Sequence, residues 1–334
     1  MTPCVGNLWY MAGWTEEVPE DHFLARTLLD RHWLIFRSSD GHWAMLADRC
    51  PHRFAALSRG QRHGDMIQCG YHGLGFDRDG HCVHNPFGGT PPPGARVPTL
   101  PIVERYGALW FWPGDPALAD PDAIPDFAFT QGPDQVRGSL RMEASYEYIT
   151  DNLMDLSHAE FIHRESFGVN GALLHHGMQR VRTDDQGAIW NNWDIVDADP
   201  PSWAVPLLPQ GARVDQWLHM RWHAPASMVL YIGMARTGTG GKDLVMPPMA
   251  NPHIITPETS RSSHYFYTRG PGEEAVAMVR RVFEEEDEPM IRSVQQGFGD
   301  ADFWEARPVI LPSDAGAIRA RRALMQPRRA EQTA

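Results

Sequence analysis

The sequence predicts an α+β protein of two domains. Residues 1–115 form a small all-β domain, and residues 116–334 form an antiparallel sheet with a long helix packed on it. Three observations predict this. Residues 5 to about 112 read as short strands separated by turns, and a Pro/Asp-rich stretch at 113–125 then interrupts the chain. Beyond it, strand-like segments at about 180–236 and 253–268 precede a helical pattern over roughly 273–296. A chain of 334 residues suits two domains, and 42% hydrophobic with 22% charged residues is the balance of a globular protein with a sizeable core.

In chain order, the first strands are expected at 32–36, 43–46 and 108–112, with turns at Ser39-Asp40-Gly41 and Arg78-Asp79-Gly80. A Pro/Gly-rich loop occupies 85–101. In the second domain a helical pattern covers 146–163, and the polar tail 325–334 is expected to fray. The formal charge of −12 argues against a nucleic-acid partner, because phosphate neutralisation needs a surplus of Lys and Arg. No apolar run is long enough to span a bilayer. The N-terminal segment lacks the basic and apolar regions of a signal peptide, so a cytoplasmic location and no membrane partner are expected.

The strongest chemical signal is Cys50-Pro51-His52, then sixteen residues, then Cys69-Gly70-Tyr71-His72. Thiolate and imidazole bind iron–sulfur clusters and zinc. A structural zinc site pairs Cys with Cys and His with His, whereas here each Cys is paired with a His. That pattern suits a [2Fe–2S] cluster in which two His replace two Cys on one iron. Gly70 and Gly73 are expected to let backbone amides approach the sulfides closely. Cys82 is read as a small buried side chain and Cys4 as a bystander near the terminus.

The second constellation runs from Asn152 through Asp155 and His158 to His163. Two His and one carboxylate on one face of an octahedron hold a mononuclear Fe(II) with open positions for O2. Five residues separate His158 from His163, which on a regular helix leaves them about 140° apart. A π-bulge, a kink or a helix end is therefore expected between Ala159 and His163. The carboxylate must come from elsewhere, and the acidic run at 284–288 offers one. Asp287 lies on the apolar stripe of its helix with Phe283, Met290 and Ile291, where a carboxylate needs a partner or a metal. Glu286 is the alternative. Pro289 lacks an N–H, frees the carbonyl of Glu285 and is expected to distort the helix beside the site.

At these residues the chain resembles the Rieske non-heme iron oxygenases along nearly its whole length. The branch is that of the vanillate and dicamba O-demethylases and of toluenesulfonate methyl-monooxygenase. The matching text is at 7–14, 50–53, 69–73, 151–158, 256–259, 264–266 and 286–291. The resemblance implies a Rieske [2Fe–2S] domain followed by a helix-grip catalytic domain, in a head-to-tail homotrimer. It implies a separate reductase or ferredoxin component that delivers electrons from NAD(P)H. It assigns the cluster to Cys50, His52, Cys69 and His72, and the iron to His158, His163 and Asp287. Asp155, counted with Asn152 as catalytic, would accept a hydrogen bond between a cluster histidine of one subunit and an iron ligand of the next. A substrate contact is implied at His253, where a protonated or donor imidazole could hold an anionic or phenolic group. The implied reaction uses O2 to hydroxylate a small aromatic substrate, by oxidative O-demethylation or methyl hydroxylation. Ring dihydroxylation or N-demethylation is the alternative, and a non-enzymatic electron carrier is disfavoured because it needs no second metal site.

Overall fold

The computed structural model describes residues 4–169 and 171–333. Contacts divide the chain into two units. One gathers Cys4–Asp126 with Thr256–Ser260, and the other gathers Phe127–Ile255 with the chain from Arg261 onwards. The division falls at 126/127 rather than at 115/116, because the turns between these points are tied to the first unit. Trp9 Nε1 donates to Asp120 O at 2.8 Å, Asp115 N donates to Asn7 Oδ1 at 2.9 Å, and Arg105 donates to Pro121 O.

The first unit is all-β. Strands β1 (Tyr10–Trp14), β2 (Leu24–Leu28), β3 (Arg31–Arg37) and β4 (Trp43–Ala47) are followed by the short β5 (Gln61–His63), β6 (Met66–Gln68), β7 (Gly75–Phe76) and β8 (Cys82–His84). The last two are β9 (Ile102–Arg105) and β10 (Ala108–Phe111). They form three antiparallel sheets, ordered β1-β10-β9, β2-β3-β4 and β5-β6-β7-β8. Strand β3 is buried on both faces over Trp33–Phe36, because each face meets a different core. Leu34 and Phe36 pack with Leu57, Ile67, Phe76, Cys50 and Cys69, while Trp33 and Ile35 pack with Tyr10, Met45 and Phe111.

The second unit carries a seven-stranded antiparallel sheet. Its strands are β11 (Val136–Met142), β12 (Gly177–Thr183), β13 (Ile189–Ala198), β14 (Val214–His223), β15 (Ser227–Arg236), β16 (Leu244–Pro257) and β17 (Ser263–Arg269). Their order is β11-β17-β16-β15-β14-β13-β12. Strand β14 alternates buried and half-buried residues without exception, as a strand with one covered face does. The helices are α1 (Tyr146–Met154), α2 (Ala172–His176), α3 (Glu273–Val279), α4 (Glu288–Phe298), α5 (Phe303–Ala306) and α6 (Ala315–Thr333), with a π-helical segment, Arg280–Asp287, joining α3 to α4. Asn191, on the covered face of β13, donates to Met154 O at 2.6 Å and fixes the end of α1 against the sheet.

Three elements differ from the sequence expectation. Strand β11 was not expected; it contains Gly138, whose missing side chain makes room for the Tyr267 ring. The segment read as a fraying tail from 325 is part of α6. Its Arg328 is buried and donates to Glu147 at 2.5 Å and to Tyr146 OH. Two turns earlier on the same face of α6, Arg321 donates to Asp151 at 2.7 Å and to Glu147 at 3.1 Å. Finally, the α-helix expected over 146–163 stops at Met154.

Candidate metal centres

Two loops of the first unit have the same construction. Cys50 N donates to Ala55 O and accepts at its carbonyl from Phe54 N; Cys69 N donates to Leu74 O and accepts at its carbonyl from Gly73 N. The turn needs a left-handed residue in its last position, filled by Phe54 (φ 61°) in one loop and Gly73 (φ 77°) in the other. At Gly70 a Cβ would sit 2.5 Å from Arg59 O, so the glycine also lets the second loop lie against its neighbour. Both cysteines are buried, and burial pushes the Cys50 thiol up, with Cys69 beside it adding to the shift. The His52 and His72 rings stand 4.6 Å apart between centroids. His72 Nδ1 is buried and has no hydrogen-bond partner in the protein, an arrangement that is costly unless something outside the chain binds it. Two thiols and two imidazoles, one with an orphaned ring nitrogen, fit a [2Fe–2S] cluster of the mixed Cys/His kind.

In the second unit α1 ends because Asp155 leaves the helix (φ −117°, ψ 91°) and caps a new 3₁₀ turn, Leu156–Glu160. Its Oδ1 accepts from Ser157 N at 3.0 Å and Ser157 Oγ at 2.7 Å. The 3₁₀ turn itself ends at Glu160, inside the interval where a helix end was expected, but the main break lies earlier, at Asp155. Buried Glu160 accepts from Gly171 N and Leu173 N at 2.7 and 2.8 Å, which pins the far end of the loop carrying His163. The result brings the His158 and His163 rings to 5.1 Å.

The third candidate ligand comes from the π-helical segment, whose widened turn ends at Asp287, two residues before Pro289. The helix distortion expected beside Pro289 is a π-helix. Asp287 is 3% exposed, and its Oδ1 lies 3.3 Å from His163 Nε2 and 3.9 Å from His158 Nε2. The three donor atoms fall within 4.8 Å of one another. Both histidines are held by their other nitrogen. His158 Nδ1 meets the main-chain carbonyl of Asp155, and His163 Nδ1 meets Glu286 Oε2 at 2.7 Å. Donation through Nδ1 leaves each Nε2 free for a metal. Burial lowers the His158 pKa. Burial also opposes protonation of His163, but Asp287 and Glu286 outweigh it and raise that pKa. Two imidazoles and one carboxylate with converging lone pairs suit a non-heme Fe(II).

Other expected residues are placed as follows. Asn152 Nδ2 donates to Asp287 Oδ1 at 3.2 Å, so it steadies the carboxylate. The Asp155 carboxylate does not reach His158; its carbonyl does, while Oδ2 has one long contact, 3.3 Å, to Ser313 Oγ. Glu286 is not turned toward the three donors, because its oxygens are taken by His163, Ser166 and Arg281. His253 is buried beside Tyr265, with Nδ1 2.5 Å from the phenol oxygen and its ring 6.0 Å from Phe283. Burial pushes its pKa down to about 4, so the ring is neutral near pH 7, not protonated as the sequence reading allowed. Its Nε2 has no partner in the protein. Ser166 and Tyr265 escaped sequence reasoning, since each acts through a residue distant in sequence or on another element; Arg281 escaped because its partner Glu286, five residues on in the same segment, was itself read as the alternative ligand.

Comparison with known proteins agrees with both centres. Residues 8–101 match the Rieske [2Fe-2S] domain, and residues 142–330 match the vanillate O-demethylase oxygenase C-terminal domain. The chain is 37% identical over 332 residues to the oxygenase component of dicamba O-demethylase from Stenotrophomonas maltophilia, covering 95% of this chain and 96% of that one. It is 34% identical over 348 residues to the oxygenase component of chloroacetanilide N-alkylformylase from Rhizorhabdus wittichii, covering 97% and 96%. The crystal structure of dicamba monooxygenase bound to 3,6-dichlorosalicylic acid superposes with a TM-score of 0.86 at 35% identity over 99% of each chain. The chain therefore belongs to the Rieske non-heme iron oxygenases, as an oxygenase component with a [2Fe–2S] domain and a mononuclear-iron domain.

Proposed function

We propose that this oxygenase demethylates, or hydroxylates at a methyl group, a small aromatic substrate, with electrons from NAD(P)H delivered by a separate reductase or ferredoxin. In this reading Cys50, His52, Cys69 and His72 hold the cluster, and His158, His163 and Asp287 hold the iron. The observation that carries it is the convergence of three donor atoms within 4.8 Å while each imidazole is anchored by its far nitrogen. When bound, the cluster supplies electrons and the mononuclear iron activates O2 beside a substrate C–H bond. The chain's own residues do the rest. Asn152 and Glu286 orient two of the three ligands. His253 presents a neutral ring nitrogen, fixed from behind by Tyr265, to a polar group of the substrate. A hydroxylated O-methyl group then collapses to a phenol and formaldehyde.

The reading extends to assembly. Phe54 and Tyr71 are 62% and 63% exposed beside the cluster ligands, and Phe54 keeps a left-handed backbone that glycine would adopt more readily. An exposed ring held at that cost favours a covered surface, and we assign it to a head-to-tail homotrimer. There, Asp155 Oδ2 would accept from a cluster histidine of the neighbouring subunit. Among the described residues no helix is long and apolar enough to cross a membrane, and dependence on NAD(P)H suits the cytoplasm.

N-dealkylation is the second reading, favoured by the 34% identity to a chloroacetanilide N-alkylformylase component. Paired O-methyl and N-alkyl aromatic substrates, assayed with a reductase for NADH consumption and aldehyde release, separate the two. NADH consumption without aldehyde or hydroxylated product from any pair would overturn both. Sedimentation analysis of the cluster-loaded protein tests the trimer.

A further inference from the structure

Glu286 makes three contacts that together leave it no freedom. Oε2 accepts from His163 Nδ1 and from Ser166 Oγ, both at 2.7 Å, and Oε1 accepts from Arg281 Nε at 2.9 Å. It directly precedes Asp287 in the chain, yet it faces away from the converging donors. The other histidine has no such partner: His158 Nδ1 meets a neutral main-chain carbonyl. A carboxylate accepting from an imidazole N–H raises the basicity of the opposite nitrogen and locks its direction, whereas a carbonyl does so more weakly.

We propose that Glu286 is a positioning residue that makes His163 the stronger of two unequal histidine donors, and that Ser166 and Arg281 hold Glu286 out of the coordination sphere. The site thereby keeps one carboxylate ligand and its open positions, although two carboxylates stand side by side in sequence. This rests on the reading of His163 as an iron ligand.

The test is metal affinity. The full-length, cluster-loaded chain is stripped of mononuclear metal and titrated anaerobically with Fe(II), and separately with Co(II) read by its visible ligand-field bands. Glu286→Gln keeps the size of the side chain and one acceptor oxygen but removes the charge. Its affinity should fall about 10- to 100-fold, with shifted Co(II) bands and unchanged cluster absorbance. Glu286→Ala should fall further; if it does not fold, Glu286→Gln still decides. Affinity and bands of Glu286→Gln matching the unsubstituted chain overturn the proposal. The parallel variant His163→Ala separates the two ideas: if it binds metal as tightly as the unsubstituted chain, the ligand reading itself fails.

Discussion

The cluster-binding loops take all four candidate ligands from positions 50 to 72, whereas the iron site draws on positions 158, 163 and 287. Each loop is closed by its own backbone: a cysteine N–H and carbonyl bond within five residues along the chain. The iron site has no such local frame. It exists because one helix is cut short at Asp155 and another is widened into a π-helix that ends at Asp287. The first region teaches that a site closed by local hydrogen bonds can be read from spacing. The second teaches that a site made by breaking regular structure gathers its donors from segments far apart in sequence.

If that contrast is right, damage should stay on its own side. The largest effect is expected for Cys69→Ser. It removes a buried ligand from the core shared by Leu34, Phe36 and Ile67, so cluster absorbance and turnover should both be lost. Next comes Asp287→Ala. Turnover should fall at least about 1,000-fold, because a positioned metal contributes several kcal/mol to the chemical step. Cluster absorbance should persist; its loss would break the separation. Asp155→Asn sharpens the comparison further. It retains a capping oxygen for Ser157 and the main-chain contact to His158, so iron should stay. Turnover should drop about 10- to 100-fold if the carboxylate bridges subunits. Rapid-mixing reoxidation of the reduced cluster by O2 with substrate present, at the rate of the unsubstituted chain, would exclude the bridge.

How much of this was legible follows the same divide. The Cys/His spacing pointed to the cluster loops, whereas the apolar stripe favoured Asp287 but left Glu286 open; the geometry brings Asp287, not Glu286, to the two histidines' Nε2 atoms. The break at Asp155 was hidden because its cause is a side chain capturing Ser157 N, which hydrophobic periodicity does not register. The expected break was therefore set too late, near His163. Helix α6 was hidden for a related reason. Its arginines look solvated in isolation, and only the fold brings Glu147 and Asp151 to Arg321 and Arg328. For His253 the sequence left the charge open between a protonated and a neutral donor ring, because burial rather than residue type decides it.

The smallest effect concerns that residue. His253→Ala should raise KM about tenfold while iron content and cluster absorbance hold, since one hydrogen bond is lost and no ligand is touched. The folded-state pKa of about 4 lies below the ordinary 6.5, so the fold favours the neutral ring. That stabilisation is complete above pH 6.5 and is lost as pH falls through 4, roughly 3 kcal/mol in all. Denaturant unfolding between pH 7 and 4 should show a shallower decline for His253→Gln. Equal declines would place the titration elsewhere.

The central claim, two metal centres with independent ligand sets, is tested most directly by counting iron and acid-labile sulfide in the anaerobically reconstituted chain and in His158→Ala. We expect about three irons and two sulfides per chain, falling to about two and two in the variant with its cluster absorbance intact. Two irons in both proteins, or loss of sulfide along with the third iron, would contradict it.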